Sequence, residues 1–431
     1  MGTQAIRIGL LGLGTVGSGV VKLLQENGED IATKVGCPLR IERILVRDKN
    51  KPRPVAVDPA LITDDPADIL EDPAIEIVAE LIGGLEPARE FILRALEAGK
   101  NVVTANKDVL AVHGQQLLQA AEARGLDFFF EASVGGGIPI IHPLKELLAA
   151  NRIRQVLGIV NGTTNFILTK MTVEGKDFAE ALGEAQAMGY AESDPSADVE
   201  GADAARKLAI LASIAFNTRV TYPEVYAEGI GRISARDILY AGELGYVIKL
   251  LAIGREEEQE VEVRVHPALV PKDHPLATVS DVFNAIFIRG DAVGEAMFYG
   301  RGAGQMPTAS AVVGDLMLVA RNLLHGSTGR ITCTCYRQLP VRPMGRVECK
   351  YYLRFTVKDR PGVLARIAGA FGEAGVSLAS VIQKRSFEGW AELVLITHRV
   401  REENLQRALA IIRDLPVVKS VDNLIRVEEG I

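Results

Sequence analysis

The period of apolar and polar positions changes several times along the chain, and these changes divide it into segments. Residues 5–11 (AIRIGLL) are a short run rich in isoleucine and leucine. The glycine turn GLGTVG follows at 12–17, and then the amphipathic stretch SGVVKLL. Together they predict a strand, a turn and a helix start. Further strands are predicted over 40–46 (RIERILV), 75–83 and 101–106 (NVVTAN), and over 126–132 (LDFFFEA), with helices over Glu86–Ala98 and Lys107–Arg124. Strands alternating with helices imply a parallel sheet covered on both faces. IRQVLGIV (153–160) is another strand, and NGTTNFIL (161–168) has turn chemistry leading into a helix cap. A helical pattern starts near Val199 and runs to about Phe216, and its rear looks buried all round through Leu208, Ile210, Leu211 and Ile214.

Beyond it, VEVRVHPALV (261–270) alternates like a sheet strand, and FNAIFIRG and AMFYG suggest more sheet. Residues 300–324 are a glycine-rich turn running into a long amphipathic helix, with Pro307 near its first turn, expected to pack back onto the first domain. Residues 331–348 carry Pro340, Pro343 and Gly345 without a clear period and read as a linker. The remaining tail alternates as βαββαβ, the ferredoxin-like order.

A chain of 431 residues is too long for one core, so two or three domains are expected. The formal net charge of −7 argues against nucleic-acid binding by the whole chain. No apolar run reaches membrane-spanning length and the N-terminus lacks a signal-peptide pattern, so the expectation is a soluble cytoplasmic protein with no membrane partner. Cys37, Cys333, Cys335 and Cys349 are not spaced as a disulfide framework and read as reduced structural thiols.

Candidate chemistry gathers at the punctuation between elements. Gly12, Gly14 and Gly17 stand in G-x-G-x-x-G spacing between a strand and a helix, which points to a dinucleotide. Arg47 and Lys49 flank Asp48 at the end of the second strand, where the adenosine ribose belongs. Two cations around one acid favour NADP with NAD tolerated; the alternative is a pair of solvated loop charges. Lys107 opens a helix at the carboxyl end of a strand, against the helix dipole. EASVGGGIPI (131–140) offers carbonyl oxygens and Glu131 to a hard cation, or else is a flexible crossover. The stretch 189–207 (GYAESDPSADVEGADAARK) crowds Glu192, Asp194, Asp198, Glu200 and Asp203 ahead of Arg206 and Lys207. Asp203 and Lys207 are four apart and share a helix face that continues into Ile210 and Ile214. A solvated pair would continue into polar residues, so the face reads as a carboxylate and an ammonium opening into a cleft; an ordinary surface pair is the alternative.

GLGTVG, the Asn-Lys at 106–107, EASVGGGIP, NGTTNFIL and GYAESDPSADVEGADAARKLAI, in that order, resemble the homoserine dehydrogenase family. The tail from Tyr351, with the loop DRPGVLA, resembles an ACT domain, a small amino-acid-sensing module. The resemblance implies NAD(P)-dependent interconversion of L-aspartate 4-semialdehyde and L-homoserine, on the route to threonine, methionine and isoleucine. It implies an α/β chain with a Rossmann-type nucleotide-binding domain (1–135, completed by about 305–330) and an α+β substrate-binding and dimerisation domain (136–304). A linker (331–348) and a ferredoxin-like ACT domain (349–431) would follow. By the same resemblance, Gly12, Leu13, Gly14, Thr15, Val16, Gly17, Arg47, Lys49, Lys107, Gly189 and Gly304 lie along the cofactor. Glu192, Asp198 and Asp203 bind substrate, Lys207 donates the proton and Lys107 is a second active-site lysine. Glu131, Val134, Gly136 and Ile138 match a sodium site built mostly of main-chain oxygens. Threonine is the implied effector and a homodimer or homotetramer the implied assembly. Ser377 stands where many ACT domains have Asn, which bears on effector identity. The rivals are a non-catalytic amino-acid sensor on a nucleotide fold, or a Rossmann oxidoreductase for another amino-acid aldehyde or hydroxy acid.

Overall fold

The computed structural model describes residues 5–430. Its contacts divide these residues into two compact units. One holds the described residues up to Val156 with Arg206–Glu224 and Asn284–Leu339. The other holds Leu157–Ala205, Val225–Phe283 and the described residues from Pro340 onward.

The first unit begins with β1 (Ile6–Leu11), α1 (Thr15–Val35), β2 (Leu39–Leu45), β3 (Ile62–Thr63), α2 (Ala67–Leu70), β4 (Ile77–Glu80), α3 (Ala88–Glu97), β5 (Asn101–Thr104), α4 (Lys107–Glu122) and β6 (Phe128–Phe129); all but β3 and α2 were expected. The strands are parallel in the order β3-β2-β1-β4-β5-β6, which makes this a Rossmann-type sheet whose switch point lies between β1 and β4. Buried Ile, Leu and Val of the strands account for their near-continuous apolar runs. The predicted strand over 126–132 is only two residues long, because Glu131–Ser133 turns into a 3-10 helix.

The chain then forms β7 (Ile153–Ile159), α5 (Gly162–Glu174), α6 (Phe178–Ala187), α7 (Ser196–Val199) and α8 (Ala202–Ala215). The last two are separate helices: the one expected from near Val199 to about Phe216 is α8, and the short α7 before it was not anticipated. Gly201 has φ +85°, which ends the first and lets the second start at Ala202. Next come β8 (Tyr226–Ala227), α9 (Ala235–Glu243), β9 (Tyr246–Glu257), β10 (Glu260–Pro271), β11 (Phe283–Gly290), β12 (Gly294–Arg301) and α10 (Gln305–Leu324). Helix α10 packs on α1 and joins the first unit's core through Ala309, Val312, Leu316 and Val319, as expected from its amphipathic pattern. The contact is close because Gly19 lacks a side chain: a Cβ there would fall 2.8 Å from that of Ala309.

The tail is β13 (Glu348–Lys358), α11 (Val363–Glu373), β14 (Leu378–Phe387), β15 (Trp390–Thr397), β16 (Val400–Arg401), α12 (Glu402–Arg413) and β17 (Val418–Val427). Apart from the two-residue β16, this is βαββαβ with its own core around Leu353, Phe355, Ile367, Phe371 and Leu409. It is not detached. Strand β17 pairs in parallel with β10, so β9, β10, β17, β13, β15 and β14 form one continuous run of strands. The predicted linker is tied down as well, with Arg342 N–H donating to Val261 O and Val261 N–H to Pro340 O.

A buried ion cluster locks that join. Arg264 on β10 is fully buried and pairs with Glu262 at 2.7 Å and with Glu428, just past β17, at 2.6 Å; Arg255 on β9 reaches Glu428 at 2.8 Å. Burial alone would raise the Glu428 carboxyl, but the guanidiniums of Arg264 and Arg255 outweigh it and hold it well below the usual range. Glu428→Gln leaves Arg264 short of an anion in the interior. It should cost about 3–5 kcal/mol of stability in urea unfolding, whereas a change under 1 kcal/mol would show the pair to be dispensable.

Candidate active site

The turn after β1 gives each glycine of GLGTVG a separate task. Gly12 has φ +103°, and a Cβ there would lie 2.9 Å from Leu81 O. A Cβ on Gly17 would lie 2.2 Å from Gly12 O, so only glycine lets α1 sit this close to the turn. At Gly14, the N-cap of α1, a Cβ would meet nothing within 4 Å. Gly14 and Thr15 are exposed over the helix N-terminus, while the Leu13 side chain is in the core and leaves only its backbone to face a ligand; Val16 is half-buried. Exposed backbone N–H groups at a helix start are suited to a pyrophosphate. Arg47 is exposed just past β2, and Lys49 pairs with Asp64 at 2.6 Å.

Glu80 sits at the switch point and was not anticipated. It is fully buried at the end of β4, and burial raises its pKa. Its carboxylate accepts from Ile82 N–H (2.9 Å), Gly83 N–H (3.2 Å) and the Thr104 hydroxyl (2.6 Å), bracing the loop after β4 against β5. An acid ending an apolar strand was the available signal. Asn106 caps α4 by accepting from Val109 N–H, and its amide donates to Gly84 O at 2.7 Å, so Lys107 is placed at the first helical position as expected.

Residues adjacent to the two lysines join their helices. Arg206, beside Lys207 on α8, lies 3.3 Å from Asp108, beside Lys107 on α4. The Arg206 guanidinium also stacks over the Tyr222 ring, 4.8 Å from its centroid. The first turn of α4 and the lysine-bearing turn of α8 are thus in contact. Behind them Leu110, Ala111, Ile210 and Ile214 line a small apolar pocket that also reaches Lys145, Cys333 and Cys335. All four cysteines are free thiols.

Glu131 holds the second glycine-rich segment. Its buried carboxylate accepts from the N–H groups of Ile140 (2.5 Å), Ile141 (2.8 Å) and His142 (2.7 Å). Burial raises its pKa and these three bonds partly offset the rise. The side chain expected to serve a cation is therefore occupied with the fold, and Glu131 has its main-chain oxygen to offer. Val134, Gly136 and Ile138 are buried. Among the described residues, no hydrogen bond outside regular elements is donated to their carbonyl oxygens. Gly136 lies against Gly302, and Gly302 against Asn284, whose buried amide has neither its nitrogen nor its oxygen bonded.

His142 joins this frame through Asp315 of α10. Its Nε2 lies 2.8 Å from Asp315, its Nδ1 lies 3.0 Å from Glu146, and Glu131 N–H donates to Asp315. Burial alone would lower its pKa, but Asp315, Glu131 and Glu146 lift it to about 9.

In the second unit the acidic stretch is organised by Asn161, the N-cap of α5. Its Oδ1 accepts from Thr164 N–H at 2.9 Å, while Nδ2 donates to Asp198 Oδ1 at 2.7 Å and Asp203 Oδ2 at 2.8 Å. Asp203 is buried in the first turn of α8, one turn before Lys207. Gly189, at φ +74°, ends the turn after α6, and Thr163 Oγ1 donates to Tyr190 O, tying that turn to α5. Glu192 is exposed on the following loop; its main-chain oxygen accepts from Gln186, and its carboxylate is outside the Asn161 network. Gly304 caps α10 at φ +123°.

A Rossmann sheet with an open glycine turn and two helix-borne lysines in the same unit mark an NAD(P)-dependent oxidoreductase. Family models agree with that class. "Homoserine dehydrogenase, NAD binding domain" matches residues 12–131, "Homoserine dehydrogenase" matches 139–317, and "ACT domain" matches 351–417. The homoserine dehydrogenase of Corynebacterium glutamicum is 48% identical over 430 residues, covering 99% of this chain and 96% of its own. A homoserine dehydrogenase crystal structure from Thiobacillus denitrificans superposes with a TM-score of 0.94 at 44% identity, covering 99% of both chains. A hyperthermophilic archaeal homoserine dehydrogenase in complex with NADPH aligns with a TM-score of 0.62 at 29% identity, over 73% of this chain and 98% of its own. The chain belongs to the homoserine dehydrogenase family.

Two outcomes follow from the geometry. Arg206→Ala should lower kcat about 10-fold or more with KM nearly unchanged, because a small misplacement of a reacting group costs far more than the contact itself. Arg206→Lys should restore part of it, and an equal loss in both variants would assign Arg206 to folding alone. Second, the folded pKa of His142 is raised above the ordinary 6.5 to about 9. Its contribution is therefore fully present below pH 6.5 and lost as pH rises through about 9. Between those limits unfolding free energy should fall by roughly 3 kcal/mol, and His142→Gln should flatten that slope. An unchanged slope in the variant would place the titration elsewhere.

Proposed function

We propose that the protein interconverts L-aspartate 4-semialdehyde and L-homoserine, with NADP preferred and NAD tolerated. The observation that carries this reading is the run from Asp198 to Lys207. It holds two carboxylates on one neutral amide and, a turn later, a lysine whose helix is braced to that of Lys107. Bound cofactor supplies or accepts the hydride at the substrate carbon. Asp198 and Asp203, joined by Glu192, hold the substrate ammonium and orient its aldehyde. In the reductive direction, hydride forms a C–H bond at the carbonyl carbon, and the C=O π pair takes a proton from the Lys207 ammonium, producing the alcohol. Lys107 stabilises the charge that develops on oxygen before that proton arrives.

Arg47 supports the NADP preference, since it is exposed at the end of β2 and suited to a ribose phosphate, whereas Lys49 is paired with Asp64. A monovalent cation such as sodium fits the carbonyl oxygens of Glu131, Val134, Gly136 and Ile138. In support, no hydrogen bond outside regular elements reaches the carbonyl oxygens of Val134, Gly136 and Ile138 among the described residues, and the orphaned Asn284 amide lies behind the same backbone. Such an ion would rigidify the glycine segment. An amino-acid effector, threonine by family analogy, acting through the tail completes the reading, together with a homodimer or homotetramer in the cytoplasm that serves threonine, methionine and isoleucine synthesis. No described helix is long and apolar enough to cross a membrane.

Absorbance at the reduced-nicotinamide band, with L-homoserine and NADP or NAD, tests the activity directly. Lys207→Ala should lower kcat by about 10²–10⁴-fold while NADP affinity, read by fluorescence titration, stays within twofold. Turnover that survives the substitution would remove Lys207 as the proton donor.

A further inference from the structure

The small apolar pocket behind the lysine-bearing helices of the first unit contains chemistry that none of the roles above uses. Leu110 and Ala111 of α4 and Ile210 and Ile214 of α8 form one wall, and the segment Cys333–Cys335 forms another. Both cysteines are half-buried, so solvent reaches this edge of the pocket. Cys335 Sγ lies 3.8 Å from Ser213 O on α8. The chain beyond the pair is pinned just past the end of that helix: Arg337 N–H donates to Asn217 O at 2.8 Å, and Leu339 N–H to Thr218 Oγ1 at 3.0 Å.

The surroundings treat the two thiols unequally. The Cys333 sulfur accepts from the Cys335 thiol and from Cys335 N–H, and the Lys145 ammonium stands near it. Together they hold its pKa below the ordinary thiol range, against burial and the Glu122 carboxylate. The same contact with Cys333, together with burial, pushes Cys335 up, although Arg219 and Lys145 pull the other way. One member of the pair is thus the thiolate and the other keeps its proton. Cys37 and Cys349 differ, since both are buried and burial raises their pKa. A thiolate reached by solvent, near a cation and beside a second thiol, is the arrangement that reacts with peroxides.

We propose that Cys333 is a site of oxidation by hydroperoxides, that Cys335 resolves it as a disulfide, and that the disulfide slows turnover through α8. The Cys333 thiolate attacks one peroxide oxygen: an S–O bond forms, the O–O bond breaks, and the departing hydroxide takes a proton from solvent to become water. Cys333 is oxidised to a sulfenic acid as the peroxide is reduced. Cys335 then loses its proton and forms the S–S bond, and the sulfenic hydroxyl leaves with that proton as a second water. The ring can close because residues two apart lie within about 7 Å, and a disulfide needs Cα atoms roughly 4.4–6.8 Å apart. Tyr336 N–H donates to Thr334 O at 2.9 Å, so the chain already turns tightly at Cys335. Turning the Cys335 sulfur toward Cys333 takes it from Ser213 O and disturbs the wall shared with Ile210. Ser213 and Ile210 stand on the helix of Lys207, where a small misplacement is costly to turnover. The effect on turnover rests on the dehydrogenase reading; the oxidation does not.

The test uses the full-length protein, reduced and then treated with hydrogen peroxide. Mass spectrometry reads the chemistry, and L-homoserine-dependent reduction of NADP reads the effect. The expected result is a loss of two hydrogens, a Cys333–Cys335 link in the peptide map, and Cys37 and Cys349 unchanged. The kcat should fall at least about fivefold and recover with dithiothreitol. Cys335→Ser should stop at a sulfenic acid that dimedone traps on Cys333, and Cys333→Ser should lose the reaction. Lys145→Met, which keeps an apolar stem and removes the charge, should slow the oxidation of Cys333 about fivefold or more. With both cysteines replaced by serine, kcat and KM should match those of the reduced parent and peroxide should have no effect on them. Peroxide that leaves Cys333 and Cys335 as thiols, or reacts first at Cys37 or Cys349, would overturn the site. A Cys333–Cys335 disulfide with turnover unchanged would overturn the link through α8. A reduced parent without turnover would count against the dehydrogenase reading, while the mass measurement still decides the site.

Discussion

The candidate site depends first on one neutral amide holding two carboxylates. Asp198 and Asp203 would repel each other in a partly buried setting, and a cation between them would relieve that repulsion only by cancelling their charge. The Asn161 Nδ2 group donates to both and neutralises neither. Its Oδ1 is meanwhile fixed by Thr164 N–H at the start of α5, so the amide cannot turn away. The break at Gly201 belongs to the same solution: one unbroken helix would have set Asp198 and Asp203 five residues apart around its axis, whereas two helices let both reach a single donor group.

The same economy appears in the first unit, where charges satisfy one another locally and so position their neighbours. Asp108 and Arg206 pair at 3.3 Å, and each stands next to a lysine. Glu80 spends its carboxylate on the loop after β4, and Glu131 spends its own on three successive N–H groups. Glu80 and Glu131 are buried, and burial raises their pKa, so their hydrogen bonds are what keep them compatible with the interior. Each of them removes freedom from a backbone segment.

Local chemistry was legible from residues alone. The tight turn at Gly12, the close packing at Gly17, the helix cap at the start of α5 and the tail's βαββαβ order are all decided within a few residues of sequence, where spacing and stereochemistry suffice. The contacts that were not legible join distant positions. Asp203 lies 42 residues from Asn161, and Asp315 lies 184 residues from the Glu131 N–H it accepts. The short helix α7 was hidden because its four residues, Ser196–Val199, bury no apolar face. The pairing of β17 with β10 was hidden because each strand reads as complete within its own segment.

That last pairing changes what the tail can do. A ferredoxin-like module on a flexible tether communicates by docking and release, and its exposed edge strand invites association. Here β17 has β13 on one side and β10 on the other, and the Arg264–Glu428 pair closes the seam in the interior. Residues 226–232 are tied to the same seam and to the 199–201 turn, with Glu228 N–H donating to Val265 O and Ile230 N–H to Val199 O. A module welded through a sheet passes on strain where a tethered one would pass on collisions.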